Sequence, residues 1–274
     1  MTPKEKIQLT EAQETLLITL YSKTLGAPDG FFEDPAAWKM LERIDYDFSA
    51  LRVKTGTRLT VCLRAMKLDE YVRDFLAENP GGTVIHLGCG LDTRCQRVGA
   101  QAGDWYDLDL PDVIELRRKF MPESESYHLL PASAADLDWI NMVILRGSRV
   151  MIVAEGLLMY LRPEEVKSLV RRLTVTFPGA ALAFDAFSEL TARSVHRNPS
   201  LQKTGAAIRW GIDDPGEIET WAPGVALQEE WYFSQSSRIE ALPFLYRLMF
   251  RISGLFQAAN KAHRVLYYRL GGEE

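Results

Sequence analysis

The apolar and polar positions of the chain fall into short apolar runs, several of them opened by a glycine-containing turn. NPGG at 79–82 leads into TVIHLG, PG at 178–179 into AALAFDAF, and PG at 223–224 into VALQEEWYF. Gly and Pro punctuate a chain where it reverses, so each of these turns predicts the start of a strand. Further runs rich in β-branched and aromatic residues are WYDLDL (105–110), SYHLLPA (126–132), RVMIVAEG (149–156) and HRVLYYRL (263–270). Each has the length and composition of a strand, and the continuous apolar ones predict burial on both faces.

Between the strands the period lengthens. PDVIELRRKF (111–120) and RPEEVKSLVRRL (162–173) read as helices, the second with Pro163 at its first position, Glu164 and Glu165 in its first turn and Arg171 and Arg172 near its end. That charge order complements the helix dipole. Strand and helix in alternation predict an α/β fold: a doubly wound, Rossmann-like sheet, mostly parallel, with an antiparallel C-terminal strand. We divide one domain, 1–274, into four parts. Residues 1–78 form an N-terminal helical cap, with a capping box at Thr10 and Gln13 and helical periodicity in LLITLYSKTL. Residues 79–187 form the cofactor-binding core. Residues 188–222, polar and turn-rich with two tryptophans, form a lid over the acceptor. Residues 223–274 supply the last strands and an apolar helix within ALPFLYRLMFRISGLFQAAN (241–260).

Composition narrows the partners. Hydrophobic residues make up 47% of the 274, enough for a large core, and 32 Lys plus Arg against 37 Asp plus Glu give a net charge of -5. This offers no basic footprint for nucleic acid, and points to a small-molecule or protein substrate. Cys62, Cys89 and Cys95 lack paired spacing, so neither a disulfide framework nor a zinc site is predicted. No apolar run reaches the ~18 residues of a membrane span, and MTPKEKIQLTEAQE lacks the apolar core of a signal peptide, so a cytoplasmic setting is expected.

The candidate chemistry begins in IHLGCGLDTR (85–94). Gly88 and Gly90 follow the first core strand, where open α/β sheets bind their ligands and where missing side chains admit a ligand to the backbone. A diphosphate loop would place a third glycine at 93, but Thr93 stands there, and Asp92 at the helix entrance would repel a diphosphate while serving as a cap. S-adenosylmethionine, a sulfonium with no phosphate, suits the loop better. Acids at strand ends suit its positive charge. Asp107 and Asp109 close the second strand, and Asp109 follows Gly90 at about the 20-residue spacing used to grip ribose hydroxyls, with Leu110 beside it. Asp136, with Leu137, is placed for the adenine amino group, and Glu155, with Gly156, for the ammonium and sulfonium. Cys89 reads as a gap filler and His86 as a hydrogen-bonded core histidine.

Together EDPAAWKMLERIDYDF (33–48), LRAMKLDEYVRDFL (63–76), HLGCGLDTR (86–94), YDLDLP (106–111), ADLDW (135–139) and AEGLLMYL (154–161) resemble the leucine carboxyl methyltransferase-like family, in particular its bacterial branch of polyketide O-methylation enzymes related to the tetracenomycin carboxyl methyltransferase. The resemblance covers most of the chain and implies a class I methyltransferase sheet. It implies that Gly88 and Gly90 line the cofactor loop, Asp109 holds ribose, Asp136 and Leu137 hold adenine, and Glu155 lies by the methionine part. It also implies that Arg64 pairs with the cofactor carboxylate and that Tyr160 lies beside the transferred methyl. The family's second N-terminal basic contact has two candidates, Lys54 and Arg58.

Methyl transfer to oxygen needs alignment, exclusion of water and a deprotonated acceptor. A carboxylate arrives ionised; a phenol, with a pKa near ~10, benefits from a base. No base constellation is legible, which favours a carboxylate, or an already acidic phenol, on a small hydrophobic, polyketide-like metabolite. Tyr160 and His196 are the candidate catalytic groups, and Arg193, His196 and Arg197 the candidate acceptor contacts; no metal is expected. The alternatives are a protein C-terminal carboxylate as acceptor, an NAD(P) oxidoreductase, and a binding module without catalysis.

Overall fold

The structure, a computed structural model, describes residues 5–6, 11–25, 31–99, 103–145, 147, 149–196 and 207–272. Seven strands form the central sheet: β3 (Thr83–Leu87), β4 (Trp105–Asp109), β5 (Tyr127–Pro131), β6 (Val150–Ala154), β7 (Ala180–Phe187), β8 (Ala226–Tyr232) and β9 (His263–Leu270). Two-residue strands β1 (Glu5–Lys6) and β2 (Ile44–Asp45) pair separately. The order is β5-β4-β3-β6-β7-β9-β8, and β9 runs antiparallel to both its neighbours. The chain reverses direction of winding at β3, so the carboxyl ends of β3, β4 and β6 surround the crevice where an open sheet binds its ligand.

Alternation within the strands splits the core into two layers. Val84, Met151, Val153 and Ala183 face α1 (Glu11–Leu25), α2 (Pro35–Glu42) and α3 (Thr55–Glu78). Ile85, Leu87, Ile152, Leu182 and Phe184 face α6 (Pro163–Thr176), which buries Val166, Leu169, Val170 and Leu173. The remaining helices of the described residues are α4 (Arg94–Val98), α5 (Pro111–Arg118), α7 (Glu189–His196), α8 (Gly216–Glu219), α9 (Phe244–Leu255) and α10 (Gln257–Lys261). Helix α6 begins at Pro163 as its sequence predicts, with Glu165 Oε2 accepting from the Arg162 N–H at 2.7 Å.

Three expectations need comment. The capping box at Thr10 and Gln13 lies outside the described residues, since Thr10 and the Gln13 side chain are not among them. The segment expected as a lid is in large part core: Trp210, Ile212, Ile218 and Trp221 are buried in the α6-side layer. Its two tryptophans anchor the insertion, because burying so large an apolar surface outweighs the polar local composition. In the apolar C-terminal helix only Phe250 of α9 is buried, while Leu245, Met249, Ile252 and Leu255 stand exposed.

Candidate active site

Beyond the carboxyl ends of β3 and β6 lies a cavity of about 350 Å³, lined by Gly88, Cys89, Gly90, Asp92, Glu155, Gly156, Tyr160 and, from the cap, Leu16, Lys23, Val61 and Arg64. The strand-to-helix loop reaches it by sharp turns at Gly88 (φ 61°) and Gly90 (φ 51°). Both lie in the left-handed region that side chains disfavour. A Cβ at 88 would meet the Leu157 side chain at 2.8 Å, and one at 90 would meet Leu16 Cδ2 at 2.9 Å.

One end of the cavity is a network of buried charges. Lys23 Nζ lies 2.8 Å from Asp92 Oδ2 and 3.5 Å from Glu155 Oε1. Arg64 donates from Nη2 and Nε to Glu155 Oε1 (3.1 and 3.3 Å) and from Nη1 to Asp185 Oδ2 (2.7 Å). Arg94 donates to the other Glu155 oxygen, to Asp69 Oδ1 (2.8 Å) and toward His86 Nε2 (3.1 Å). Arg97 closes the network on Asp34, Asp69 and Asp92. Burial alone would raise the Glu155 carboxyl, but Lys23, Arg64 and Arg94 hold it at about 2. The stability this ionised group supplies is therefore present in full above its ordinary range and is lost only as pH falls toward 2. Asp92 is likewise held well below the carboxylate range against its burial, by Arg97, Lys23 and Arg94.

Several sequence assignments change here. Asp92 does not cap α4: its oxygens bind Lys23 and Arg97, and Thr93 at the cap position instead donates to Asp34. The ion pairs of a buried carboxylate outweigh a single capping bond. Beside Arg64, the cap residue that brings a positive charge to the cavity wall is Lys23, whereas Lys54 and Arg58 do not line the cavity: Arg58 donates to Leu25 O and Lys54 precedes α3. Lys23 sits two residues before the last helical position, Leu25, and only helix packing shows that it turns inward. Asp107 does not match a cofactor role. It is fully buried, accepting from Trp105 Nε1 (2.7 Å), Tyr127 Oη (2.5 Å) and Arg117, with its carboxyl held at about 2 against burial mainly by Arg117.

Asp109, Leu110, Asp136 and Leu137 lie at the same sheet edge but outside the cavity. Asp109 Oδ2 accepts from Gly90 N and Oδ1 from Leu110 N, each at 2.7 Å, which ties the end of β4 to the glycine loop. Leu110 is half exposed, and Asp136 is exposed and accepts from Asp138 N (3.2 Å). His86 is buried among Arg94 and Asp107, as a core histidine. Burial pushes the Cys89 thiol up, so it stays protonated and inert.

The far end of the cavity is apolar: Met159, Phe187, Val195 and Ile208, with the Tyr160 ring. Burial raises the Tyr160 hydroxyl, which stays protonated and cannot serve as a base at neutral pH. Arg193 points to the surface and pairs with Glu189. His196 ends α7, but its side chain lies outside the described residues, as does Arg197.

The residues suit S-adenosylmethionine. Two buried cations from the cap match one carboxylate, Glu155 and Asp92 match an ammonium and a sulfonium, and the glycine turns leave room that any Cβ would fill. Two buried carboxylates at the loop would oppose a diphosphate.

The sequence model of the leucine carboxyl methyltransferase family matches residues 23–174. Over 230 residues the chain is 41% identical to the tetracenomycin polyketide synthesis O-methyltransferase TcmP of Streptomyces glaucescens, covering 83% of this chain and 85% of that one. It is 33% identical to the S-adenosyl-L-methionine-dependent methyltransferase dpfgK of Gibberella zeae, covering 94% and 95%. Among solved structures it shares its fold with a DUF574 family protein of Streptomyces avermitilis (TM-score 0.60, 15% identity, 95% and 98% covered). The fold is also that of the N-methyltransferase NodS of Bradyrhizobium japonicum with S-adenosyl-L-homocysteine (TM-score 0.50, 12% identity, 96% and 100% covered). No helix among the described residues is long and apolar enough to cross a membrane.

Proposed function

The chain belongs to the leucine carboxyl methyltransferase family of S-adenosylmethionine-dependent O-methyltransferases, and from that premise we propose that it methylates an oxygen of a small, apolar, polyketide-like metabolite. The observation that carries this reading is the polarity of the cavity. Its charged end, Lys23, Arg64, Asp92 and Glu155, faces an apolar end formed by Met159, Phe187, Val195 and Ile208. A flat or aliphatic acceptor buries its surface there at about 25 cal/mol per Å². A protein C-terminus, the rival acceptor, would bring main-chain amides against side chains that cannot pair with them.

The bound cofactor supplies an electrophilic methyl on a sulfonium. The protein supplies alignment and a dry site. Lys23 and Arg64 hold the carboxylate end, Glu155 and Asp92 the ammonium, Asp109 the ribose and Asp136 with Leu137 the adenine. Arg64 is well suited because it is itself fixed from two sides, by Glu155 and Asp185, so its fork loses little freedom on binding. Met159, Tyr160 and Phe187 keep water from the transfer.

Two acceptor oxygens fit this scheme. A carboxylate needs no base, and on the sequence alone it is favoured. A hydroxyl is the second reading, favoured by a histidine and carboxylate pair that the fold assembles at the cavity's edge.

Calorimetry is expected to show binding of S-adenosylmethionine and S-adenosylhomocysteine and none of NADH. NADH binding with no response to either methionine compound overturns the reading. Labelled methyl groups should pass into apolar metabolites of an extract; label appearing only in protein would favour the rival acceptor.

A further inference from the structure

Strand β9 enters the sheet antiparallel to β7, so its first residue, His263, stands opposite Phe187 at the sheet edge that bears the cavity. The period of two puts His263 on the α3 face beside Asp185. Asp185 is fully buried and accepts three hydrogen bonds: from Gly156 N (2.6 Å), Arg64 Nη1 (2.7 Å) and His263 Nε2 (2.8 Å). The row Glu155, Arg64, Asp185, His263 is therefore continuous, running from the charged end of the cavity to an imidazole that lies behind Phe187 of its apolar wall.

An ionised carboxylate beside one imidazole nitrogen decides the tautomer. Asp185 is held well below the carboxylate range, against its burial, by Arg64 and by the bonds from His263 and Gly156. It can only accept, so Nε2 carries the hydrogen and Nδ1 keeps its lone pair. Among the described residues the ring's one hydrogen bond is that of Nε2 to Asp185, and none engages Nδ1. Burial lowers His263 below its ordinary value, which leaves the ring neutral near pH 7. The ring rests against Phe187 (4.6 Å between centroids) and Phe233 (5.0 Å), and Phe187 itself lines the cavity. The imidazole keeps 16% of its surface exposed.

We propose that His263, oriented by Asp185, is the general base of the reaction and that the acceptor is a hydroxyl, phenolic or enolic, on the apolar metabolite. The inference rests on the methyltransferase reading and sharpens its acceptor. The acceptor's O–H proton passes to Nδ1, and the electron pair released on oxygen forms the new C–O bond. The S–CH3 bond breaks with its pair retained by sulfur, which becomes a neutral thioether. The imidazolium is stabilised by Asp185 until solvent takes the proton. A carboxylate acceptor would leave this pair without a task, since it arrives already ionised.

3-Hydroxy-2-naphthoate carries both oxygens on one ring and serves as the probe. With wild-type protein and S-adenosylmethionine, mass spectrometry is expected to find the methyl ether as the main product. His263→Ala should lower ether formation by roughly 10²–10⁴-fold, as loss of a general base does. Any ester formation should be unchanged, and the Kd for S-adenosylhomocysteine should stay within about threefold because the cation pair is untouched. A ¹⁵N spectrum of the unliganded protein, independent of turnover, should show His263 neutral with the hydrogen on Nε2, and Asp185→Asn should disturb that assignment. The ester as sole product, equal loss of ether and ester in His263→Ala, or the hydrogen on Nδ1 in wild type would each overturn the proposal. Failure of wild-type protein to bind S-adenosylhomocysteine would instead overturn the methyltransferase reading, leaving the tautomer result to stand by itself.

Discussion

The two halves of the proposed cofactor site are built in opposite ways. The adenosine half, Asp109, Leu110, Asp136 and Leu137, sits on an open edge, each acid at a strand end or turn and holding backbone N–H groups of its own neighbourhood. The methionine half is enclosed, and its charges come from α1, α3, α4, β7 and the loops after β3 and β6, paired with one another out of solvent. Local, solvated acids can be exchanged at small cost. Buried ion pairs cannot, because removing one partner leaves the other charged and unpaired in a poor dielectric. Stability and affinity should therefore be tied together in the methionine half and separable in the adenosine half.

The largest effect should follow Arg64→Ala, which takes a buried cationic partner from Glu155 and Asp185 at once. We expect a loss of about 3–5 kcal/mol of stability, as for broken buried pairs, read by chemical denaturation. Binding of S-adenosylhomocysteine should fall with it, while 5′-methylthioadenosine, which lacks the amino-acid end, should keep its affinity for whatever protein remains folded. Equal loss of both ligands would erase the distinction between the halves.

Lys23→Met comes next. Asp92 keeps Arg97 and Glu155 keeps Arg64 and Arg94, so the network survives with one charge fewer. The expected cost is about 1–3 kcal/mol in stability and roughly 10–100-fold in affinity for S-adenosylhomocysteine, with methylthioadenosine unaffected. Calorimetry with the two ligands reads the difference.

The same contrast explains what the sequence disclosed. The strands, helix α6 from Pro163 and the glycine loop were legible because period, turn chemistry and capping act over a few residues. Asp109 was legible as a strand-end acid for that reason, and Asp136 as an acid in the turn that follows the third core strand. Lys23 was not, since a lysine in a cap helix gives no local sign that it turns inward. Nor was the partnership of His263 with Asp185, which are 78 residues apart and meet only because β9 runs back along β7. Asp107 and Asp109 lie two residues apart on one face. Only the packing of α5, which brings Arg117 onto Asp107, separates a core acid from a cofactor acid. Trp210 and Trp221 were misread as lid residues because a polar neighbourhood hides how much surface an indole buries.

In the adenosine half, Asp109→Ala should weaken both ligands by the same factor, about 10-fold or more for a charged acceptor. The loss of its bonds to Gly90 N and Leu110 N should cost about 1–2 kcal/mol without unfolding the protein. A loss confined to S-adenosylhomocysteine would place the ribose elsewhere.

The smallest effect, and the sharpest test of the open edge, belongs to Asp136→Ala. The side chain is exposed and caps only the short turn from Leu137, so stability should change by about 0.5–1 kcal/mol. Affinity should fall only a few-fold, since an exposed acceptor exchanges one hydrogen bond for another with water. The size of that loss cannot identify the contact, but its dependence on the ligand can. If Asp136 accepts from the adenine amino group, wild-type protein should bind S-adenosylhomocysteine better than S-inosylhomocysteine, which lacks that donor, and the variant should bind both alike. The coupling between the change in protein and the change in ligand then isolates the single bond, whatever else the alanine disturbs. Discrimination that persists undiminished in the variant would move the adenine away from Asp136.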